Sequence, residues 1–118
     1  MKTARFFWKS TCTTCRDARS FLRNDLKVEL DERDYAKVPL TEAELKALFA
    51  EAGRDPRDFL NPKSPTYKQM ALGNKKLTAT EAIALMAREA NLLKRPLVIA
   101  GKTVIAGFDR ERLRAALT

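Results

Sequence analysis

The spacing of hydrophobic positions changes twice along the 118-residue chain. An aromatic, strand-like run over residues 4–8 leads through a polar loop into residues 15–25, where apolar side chains recur at helical spacing. Val28 and Leu30 then alternate with charged residues, which is typical of a half-buried strand. The first 35 residues therefore predict a strand–helix–strand unit.

Residues 38 to about 93 carry helical spacing almost throughout. Two capping boxes mark helix starts, one formed by Thr41 with Glu44 and the other by Thr78 with Glu81. We therefore predict that this segment is a helical insert.

The last section returns to strand spacing. Two runs rich in β-branched residues, 96–100 and 103–106, flank Gly101-Lys102, which predicts a hairpin. Asp109 is placed to cap a final helix. The element order predicts a single α/β domain with a small mixed sheet over residues 1–118, with the insert at approximately 38–93.

Composition narrows the class of protein. Hydrophobic residues make up 45% and charged residues 32%, an ordinary globular balance. No run approaches the ~20 apolar residues of a membrane helix. Phe6-Phe7-Trp8 is also too short for the core of a signal peptide, so we expect a cytoplasmic protein without membrane association.

The histidine count excludes several catalytic classes. The chain has no histidine, so Ser-His-Asp and Cys-His catalysis and every zinc site that needs histidine are excluded. Cys12 and Cys15 are the two cysteines, too few for a four-cysteine zinc site within one chain. We expect no metal.

The net charge is +8 and unevenly distributed. Residues 61–76 carry four lysines and no acid, whereas 26–60 carry nine acids against six bases. A solvated or small-anion-binding face explains this better than direct DNA binding, because no long basic block occurs. Lys63, Lys68, Lys75 and Lys76 form a solvated surface or, as the alternative, a docking site for an acidic protein.

The cysteine pair is the most informative motif. Two thiols separated by two residues at a helix start can close a disulfide, and the helix N-terminus stabilises a thiolate on Cys12. Beside a strand–helix–strand unit this motif indicates thioredoxin-like redox chemistry, with Cys12 attacking and Cys15 resolving. Neighbouring charges are Lys9, Arg16 and Arg19, opposed by Asp17. The alternatives are ordinary small residues or half of an intermolecular metal site.

Three further motifs have plain explanations when taken alone. Arg95-Pro96 is consistent with an ordinary trans proline opening a strand, since cis occurs at only ~5–6% of such bonds. Gly101-Lys102-Thr103 lacks the upstream glycine of a phosphate loop, because that position is Pro96. Phe6-Phe7-Trp8 is explained by strand packing rather than by base stacking.

Together these motifs resemble the arsenate reductase (ArsC)/Spx family. The segment from Phe7 to Leu22, Phe-Trp-Lys-Ser-Thr-Cys-Thr-Thr-Cys-Arg-Asp-Ala-Arg-Ser-Phe-Leu, resembles its active-site loop. Residues 34–45, 59–67 and 94–108 resemble, in order, its second-strand exit with the first insert helix, its insert loop and its Arg-Pro hairpin. The resemblance covers almost the whole chain and implies a thioredoxin-like fold in which Pro96 is cis and packs beside Cys12.

The chain departs from the family members that reduce arsenate. Those members carry one cysteine in the loop and three arginines, of which only Arg95 has a convincing match here; the insert loop reads Asn61-Pro62-Lys63. Arg95 and Lys63 could still hold an oxyanion. Cys15 instead resembles the Spx-like branch, whose members use a dithiol switch and bind the RNA polymerase α subunit.

We therefore predict a dithiol reductase in which Arg95 lowers the pKa of Cys12 and orients an anionic substrate. No cofactor is expected, and electrons would come from thioredoxin, glutaredoxin or glutathione. The alternatives are an Spx-like redox-sensing regulator that binds the RNA polymerase α subunit, an arsenate reductase, and a non-redox binding module. The candidate substrate contacts are Lys9, Thr11, Thr13, Thr14, Arg16, Lys63 and Pro96.

Overall fold

The computed structural model describes residues 2–117, which divide into two compact units. Residues 2–38 and 95–117 form the first, here called the sheet unit, and Pro39–Lys94 forms the second, here called the helical unit. The sequence prediction of one domain with an insert is not tested by this division and stays a prediction. Each unit is described separately below.

The sheet unit contains four strands in the order β2-β1-β3-β4. These are β1 (Thr3–Trp8), β2 (Glu29–Asp34), β3 (Leu97–Ala100) and β4 (Thr103–Ala106). β1 pairs in parallel with β2, whereas the β1–β3 and β3–β4 pairs are antiparallel. The predicted mixed α/β sheet and its hairpin are confirmed.

The first helix, α1 (Thr13–Ser20), begins two residues before the predicted start at Cys15. The Arg16 N–H donates to the Cys12 carbonyl at 3.0 Å, so Thr13 and Thr14 already lie in the first turn. Both threonine side chains are exposed, and apolar spacing therefore could not reveal this turn. The helix continues as a wider π-helical turn over Phe21–Asp25.

The core of the sheet unit lies among β1, α1, β3 and the last helix, α5 (Arg110–Leu117). Its fully buried members include one residue from each of these elements, namely Phe6, Ala18, Val98 and Leu113. Asp109 caps α5 as predicted, since its Oδ1 accepts the Arg112 N–H at 3.1 Å.

The helical unit contains α2 (Glu42–Ala52), α3 (Pro65–Gln69) and α4 (Ala79–Arg88). Short 3₁₀ turns occur at Pro56–Phe59, Leu72–Asn74 and Ala90–Leu92. Both predicted capping boxes are confirmed, at Thr41 before α2 and at Thr78 before α4.

No helix between residues 2 and 117 has the length and apolar character needed to cross a bilayer.

Candidate functional site

Three segments that are distant in sequence meet at one edge of the sheet. Trp8 pairs with Asp34, which places the carboxyl ends of β1 and β2 side by side. Phe7 pairs with Leu97, and the antiparallel β3 therefore begins at the same edge. Three segments adjoin these strand ends directly: the cysteine loop follows β1, Tyr35 follows β2, and Arg95-Pro96 precedes β3.

A carboxylate fixes the start of the cysteine loop. Asp34 Oδ2 accepts the Ser10 hydroxyl at 2.6 Å and the Ser10 N–H at 3.2 Å, while its Oδ1 accepts the Ala36 N–H at 3.0 Å. The Ser10 hydroxyl is the largest cause of a pKa for Asp34 below its usual value, so Asp34 remains a carboxylate at neutral pH.

Cys12 occupies the N-cap position of α1, with extended backbone at φ −88° and ψ 121°. Its side chain is half-buried, whereas Cys15 is fully buried in the first turn of the helix. Both cysteines are free thiols. The predicted position of Cys12 at the helix N-terminus is confirmed, and Cys15 is the third residue of α1 rather than the first.

The two thiols differ in acidity. Partial burial alone would raise the pKa of Cys12, but the backbone N–H and thiol of Cys15 and the Arg95 guanidinium together lower it below its ordinary value. Burial raises the pKa of Cys15 to about 12, although a hydrogen bond from the Lys9 backbone opposes the change. Cys12 is thus the group that ionises first, and Cys15 retains its proton.

Arg95 carries the positive charge that acts on this thiol pair. Burial alone would lower its pKa, but its contacts with Cys12 and Tyr35 raise the pKa above the ordinary value for arginine, so it stays protonated. The Arg95-Pro96 bond is cis. The trans proline favoured by local sequence is therefore wrong, and the cis form implied by the family resemblance is correct. The frequency of cis bonds before proline is an average over all sequences and takes no account of tertiary structure. In this protein Pro96 is buried and directly precedes β3, which pairs with β1.

The basic residues around the motif are placed differently from one another. Arg16 is exposed and its guanidinium lies 3.4 Å from the Thr13 hydroxyl. Arg19, expected to add positive potential near the thiols, instead donates to Glu32 at 2.8 Å and lies 5.4 Å from the Trp8 ring centre. Its charge is compensated by that carboxylate.

The remaining predicted contacts divide between the units. Lys9 is half-buried and its carbonyl accepts the Cys12 N–H at 2.9 Å, while Thr11, like Thr13 and Thr14, is exposed. Lys63 is exposed in the helical unit, in the loop before α3. The roles of these residues in substrate binding stay predictions.

Sequence reasoning missed Tyr35, Asp34 and Ser10 as members of the site. Burial and the nearby thiols raise the pKa of Tyr35 while Arg95 opposes the rise, which places its hydroxyl within the electrostatic reach of the site. The available signal was positional, because Asp34-Tyr35 ends the strand parallel to the one preceding the cysteine loop.

Among residues 2–117, no cluster of three or more metal-ligating side chains is found. What the arrangement offers is one acidic thiol, one protonated buried thiol and a guanidinium beside them.

Comparison with known proteins gives a consistent result. The uncharacterized protein YusI of Bacillus subtilis is 34% identical over 109 residues, covering 91% of this chain and 92% of that protein. Global transcriptional regulator Spx 1 of Lactococcus lactis is 29% identical over 107 residues, covering 91% and 83%.

Solved structures agree with this result. An ArsC family related protein from Bacteroides fragilis superposes with a TM-score of 0.84 at 32% identity, covering 98% of both chains. Arsenate reductase from Vibrio cholerae gives the same TM-score over 98% of both chains at 23% identity, which shows a shared fold. The predicted thioredoxin-like fold is therefore confirmed. Since the sequence model of the ArsC family also matches residues 7–116, this chain belongs to the ArsC family.

Proposed function

We propose that this protein is a thiol–disulfide oxidoreductase that uses Cys12 as nucleophile and Cys15 as resolving thiol. The observation that carries the proposal is the opposite perturbation of two neighbouring thiols. Cys12 is accessible and acidified beside a protonated arginine, whereas Cys15 is buried and has a pKa of about 12. Thiol–disulfide exchange needs one thiol that attacks at neutral pH and a second that waits for the intermediate.

The first step transfers the substrate to the enzyme. The Cys12 thiolate attacks one sulfur of the substrate disulfide, a Cys12–substrate disulfide forms, and the other substrate sulfur leaves as a thiolate that takes up a proton. Arg95 stabilises the attacking anion and is available to orient an anionic group of the substrate. Lys9, Thr11, Thr13, Thr14, Arg16, Lys63 and Pro96 remain candidate contacts for that substrate.

The second step releases the product. Once Cys12 is bonded to substrate it no longer carries a negative charge, and that charge is one of the causes that raise the pKa of Cys15. The Cys15 proton is therefore lost more easily in the mixed disulfide than in the free enzyme. The Cys15 thiolate then attacks the Cys12 sulfur, and the substrate leaves as its second thiolate. Two electrons have moved from the protein to the substrate.

No cofactor enters these steps, and an external thiol must reduce the Cys12–Cys15 disulfide after each cycle. Thioredoxin, glutaredoxin and glutathione are the proposed donors. A cytoplasmic location would provide all three, because that compartment keeps thiols reduced.

Single cysteine replacements test the proposal. With bis(2-hydroxyethyl) disulfide as substrate and each donor in turn, Cys12→Ser should abolish turnover. Cys15→Ser should accumulate a mixed disulfide that mass spectrometry detects. If both variants keep wild-type turnover with every donor, the proposal is wrong. If titration gives Cys12 the ordinary thiol pKa of about 8.5, a non-redox binding module is favoured instead.

A redox-sensing regulator is the second candidate, because curated relatives are named global transcriptional regulator Spx. This function requires a complex with the RNA polymerase α subunit that depends on whether Cys12 and Cys15 are oxidised, with negligible turnover. A pull-down with the purified α subunit, performed with reduced and with oxidised protein, decides between the two. No binding in either state removes the regulator.

Arsenate reduction is the third candidate and has less support. The second loop cysteine and the lysine at position 63 depart from the members that reduce arsenate, as described above. Arsenate is therefore added as a separate substrate in the turnover assay, where the dithiol proposal expects no rate above the protein-free control.

A further inference from the structure

Tyr35 is fixed to the same strand end from which the cysteine loop begins. Its backbone N–H donates to the Trp8 carbonyl at 3.1 Å, and the carbonyl of the next residue, Lys9, accepts the Cys12 N–H at 2.9 Å. The side chain is only 2% exposed. Asp34, immediately before Tyr35, holds Ser10 of the loop through two hydrogen bonds. The position of Tyr35 relative to the cysteine loop is therefore fixed by backbone hydrogen bonds at Trp8 and Lys9 and by the side chain of Asp34.

The Tyr35 hydroxyl forms no direct hydrogen bond with any residue between 2 and 117. A buried polar group without a partner is unfavourable, and phenylalanine would fill the same space without that cost. The hydroxyl therefore needs an explanation other than packing.

The charged and titratable groups that act on this hydroxyl are those of the thiol site. Burial keeps the phenol protonated, the positive charge of Arg95 opposes that effect, and Cys15 and Cys12 add to it. Arg95 is affected in turn by Cys12 and by Tyr35. The guanidinium thus acts both on the Cys12 thiol and on the Tyr35 phenol oxygen, and it lies close enough to the phenol to influence its pKa.

We propose that Tyr35 is a positioning residue, whose phenol oxygen attracts the Arg95 guanidinium and so keeps it beside the Cys12 sulfur. A neutral phenol presents the negative end of its dipole to a cation without competing for the thiol's proton. Without it, the half-buried guanidinium loses its inner polar neighbour and is free to turn towards water. The proposal rests on the proposed function for its biological purpose, but its physical content concerns the acidity of Cys12 alone.

The test is the pH profile of Cys12 alkylation by iodoacetamide in a Cys15→Ser background, where Cys12 is the single thiol. Tyr35→Phe should move the midpoint of the profile upward by about half a pH unit, which is about a threefold loss of thiolate at pH values below the pKa. Tyr67→Phe in the helical unit is the matched control and should leave the midpoint unchanged. The thermal midpoint of Tyr35→Phe should change little, because phenylalanine fills the same buried space and the hydroxyl has no partner at hydrogen-bond geometry. An unshifted profile for Tyr35→Phe overturns the proposal.

Arg95 variants test the route of the effect. In an Arg95→Gln background, Tyr35→Phe should cause no further shift, because the guanidinium on which it acts is gone. A shift of the same size in both backgrounds would mean that Tyr35 acts on the thiol directly, and the positioning role would be wrong. These titrations need no turnover. Absence of disulfide exchange would therefore contradict the proposed function and leave this inference intact. An unshifted alkylation profile for Tyr35→Phe would overturn this inference and leave the proposed function intact.

Discussion

The sheet unit and the helical unit bury different kinds of groups. In the helical unit, Ser64 is the one buried polar residue among those described, and the interior is formed by apolar side chains such as Phe49 and Phe59. The sheet unit buries a thiol and a phenol, Cys15 and Tyr35, next to a half-buried arginine. The sheet unit thus removes polar groups from water where chemistry is proposed, at a cost in free energy, whereas the interior of the helical unit is apolar apart from the Ser64 hydroxyl.

The largest effect expected from this contrast is in the reactivity of the two thiols within the sheet unit. At pH 7 a thiol with a pKa of about 12 is ionised to about one part in 100,000, and Cys15 is also inaccessible. Cys12, with its lowered pKa, should therefore be alkylated at least about a hundredfold faster under limiting iodoacetamide. Peptide mapping by mass spectrometry measures both rates in one sample.

The single-cysteine variants provide the control for that experiment. Cys12→Ser should leave a protein that resists alkylation until it is unfolded, and Cys15→Ser should leave one that reacts at once. Comparable rates at the two positions in the folded wild type would show that burial does not separate the thiols, and the contrast within the site would be lost.

Apolar packing predicts the next largest effect, now in the helical unit. Phe59 is 1% exposed and its ring centre lies 4.7 Å from that of Phe49. Phe59→Ala should lower the free energy of unfolding by about 3–5 kcal/mol, because it leaves a cavity. Phe108→Ala in the sheet unit is the matched substitution at a half-buried ring and should cost less. Urea denaturation measures both, and an equal loss would contradict the packing difference.

The two units also differ in how far sequence alone could predict them. In the helical unit, the capping boxes at Thr41 and Thr78 depend on residues three positions apart, so the helix starts were predictable. At the thiol site, the Cys12–Cys15 spacing was visible for the same reason. The contribution of Tyr35 was not, because it depends on the parallel pairing of β1 with β2 and on Arg95, which is 60 positions further along the chain. Local rules predict elements, whereas a site built from three strand ends needs the tertiary structure.

The hydrogen bonds between Asp34 and Ser10 should make a smaller, pH-dependent contribution to the stability of the sheet unit. Asp34→Ala removes three hydrogen bonds to a partly exposed carboxylate and should cost about 2 kcal/mol at pH 7. The folded-state pKa of Asp34 is depressed, so this stability is present above the unfolded-state pKa of about 3.9 and is lost as pH falls through the lower folded-state value. The difference from wild type should therefore shrink below pH 4.

Asp31→Ala, at an exposed position on the same strand, is the control for Asp34→Ala and should change stability little at any pH. Urea denaturation at pH 7 and at pH 3 gives the comparison. A difference between Asp34→Ala and wild type that is the same at both pH values would show that the carboxylate charge is not what holds Ser10.

The smallest effect belongs to the helical unit and tests whether its helix starts are as local as their sequence signal. The Thr78 hydroxyl accepts the Glu81 N–H at 3.1 Å, and the Glu81 carboxylate accepts the Thr78 N–H at 3.0 Å. Thr78→Ala removes the first bond and should cost about 1 kcal/mol. Thr80→Ala, the same substitution at an exposed position inside α4, should be neutral or stabilising by a few tenths of a kcal/mol because alanine is the better helix former. Thermal and urea unfolding of the two variants measure their stabilities. An equal loss of stability in both would mean that α4 depends on tertiary contacts of the two threonines. The helix start would then, like the thiol site, not be predictable from local sequence.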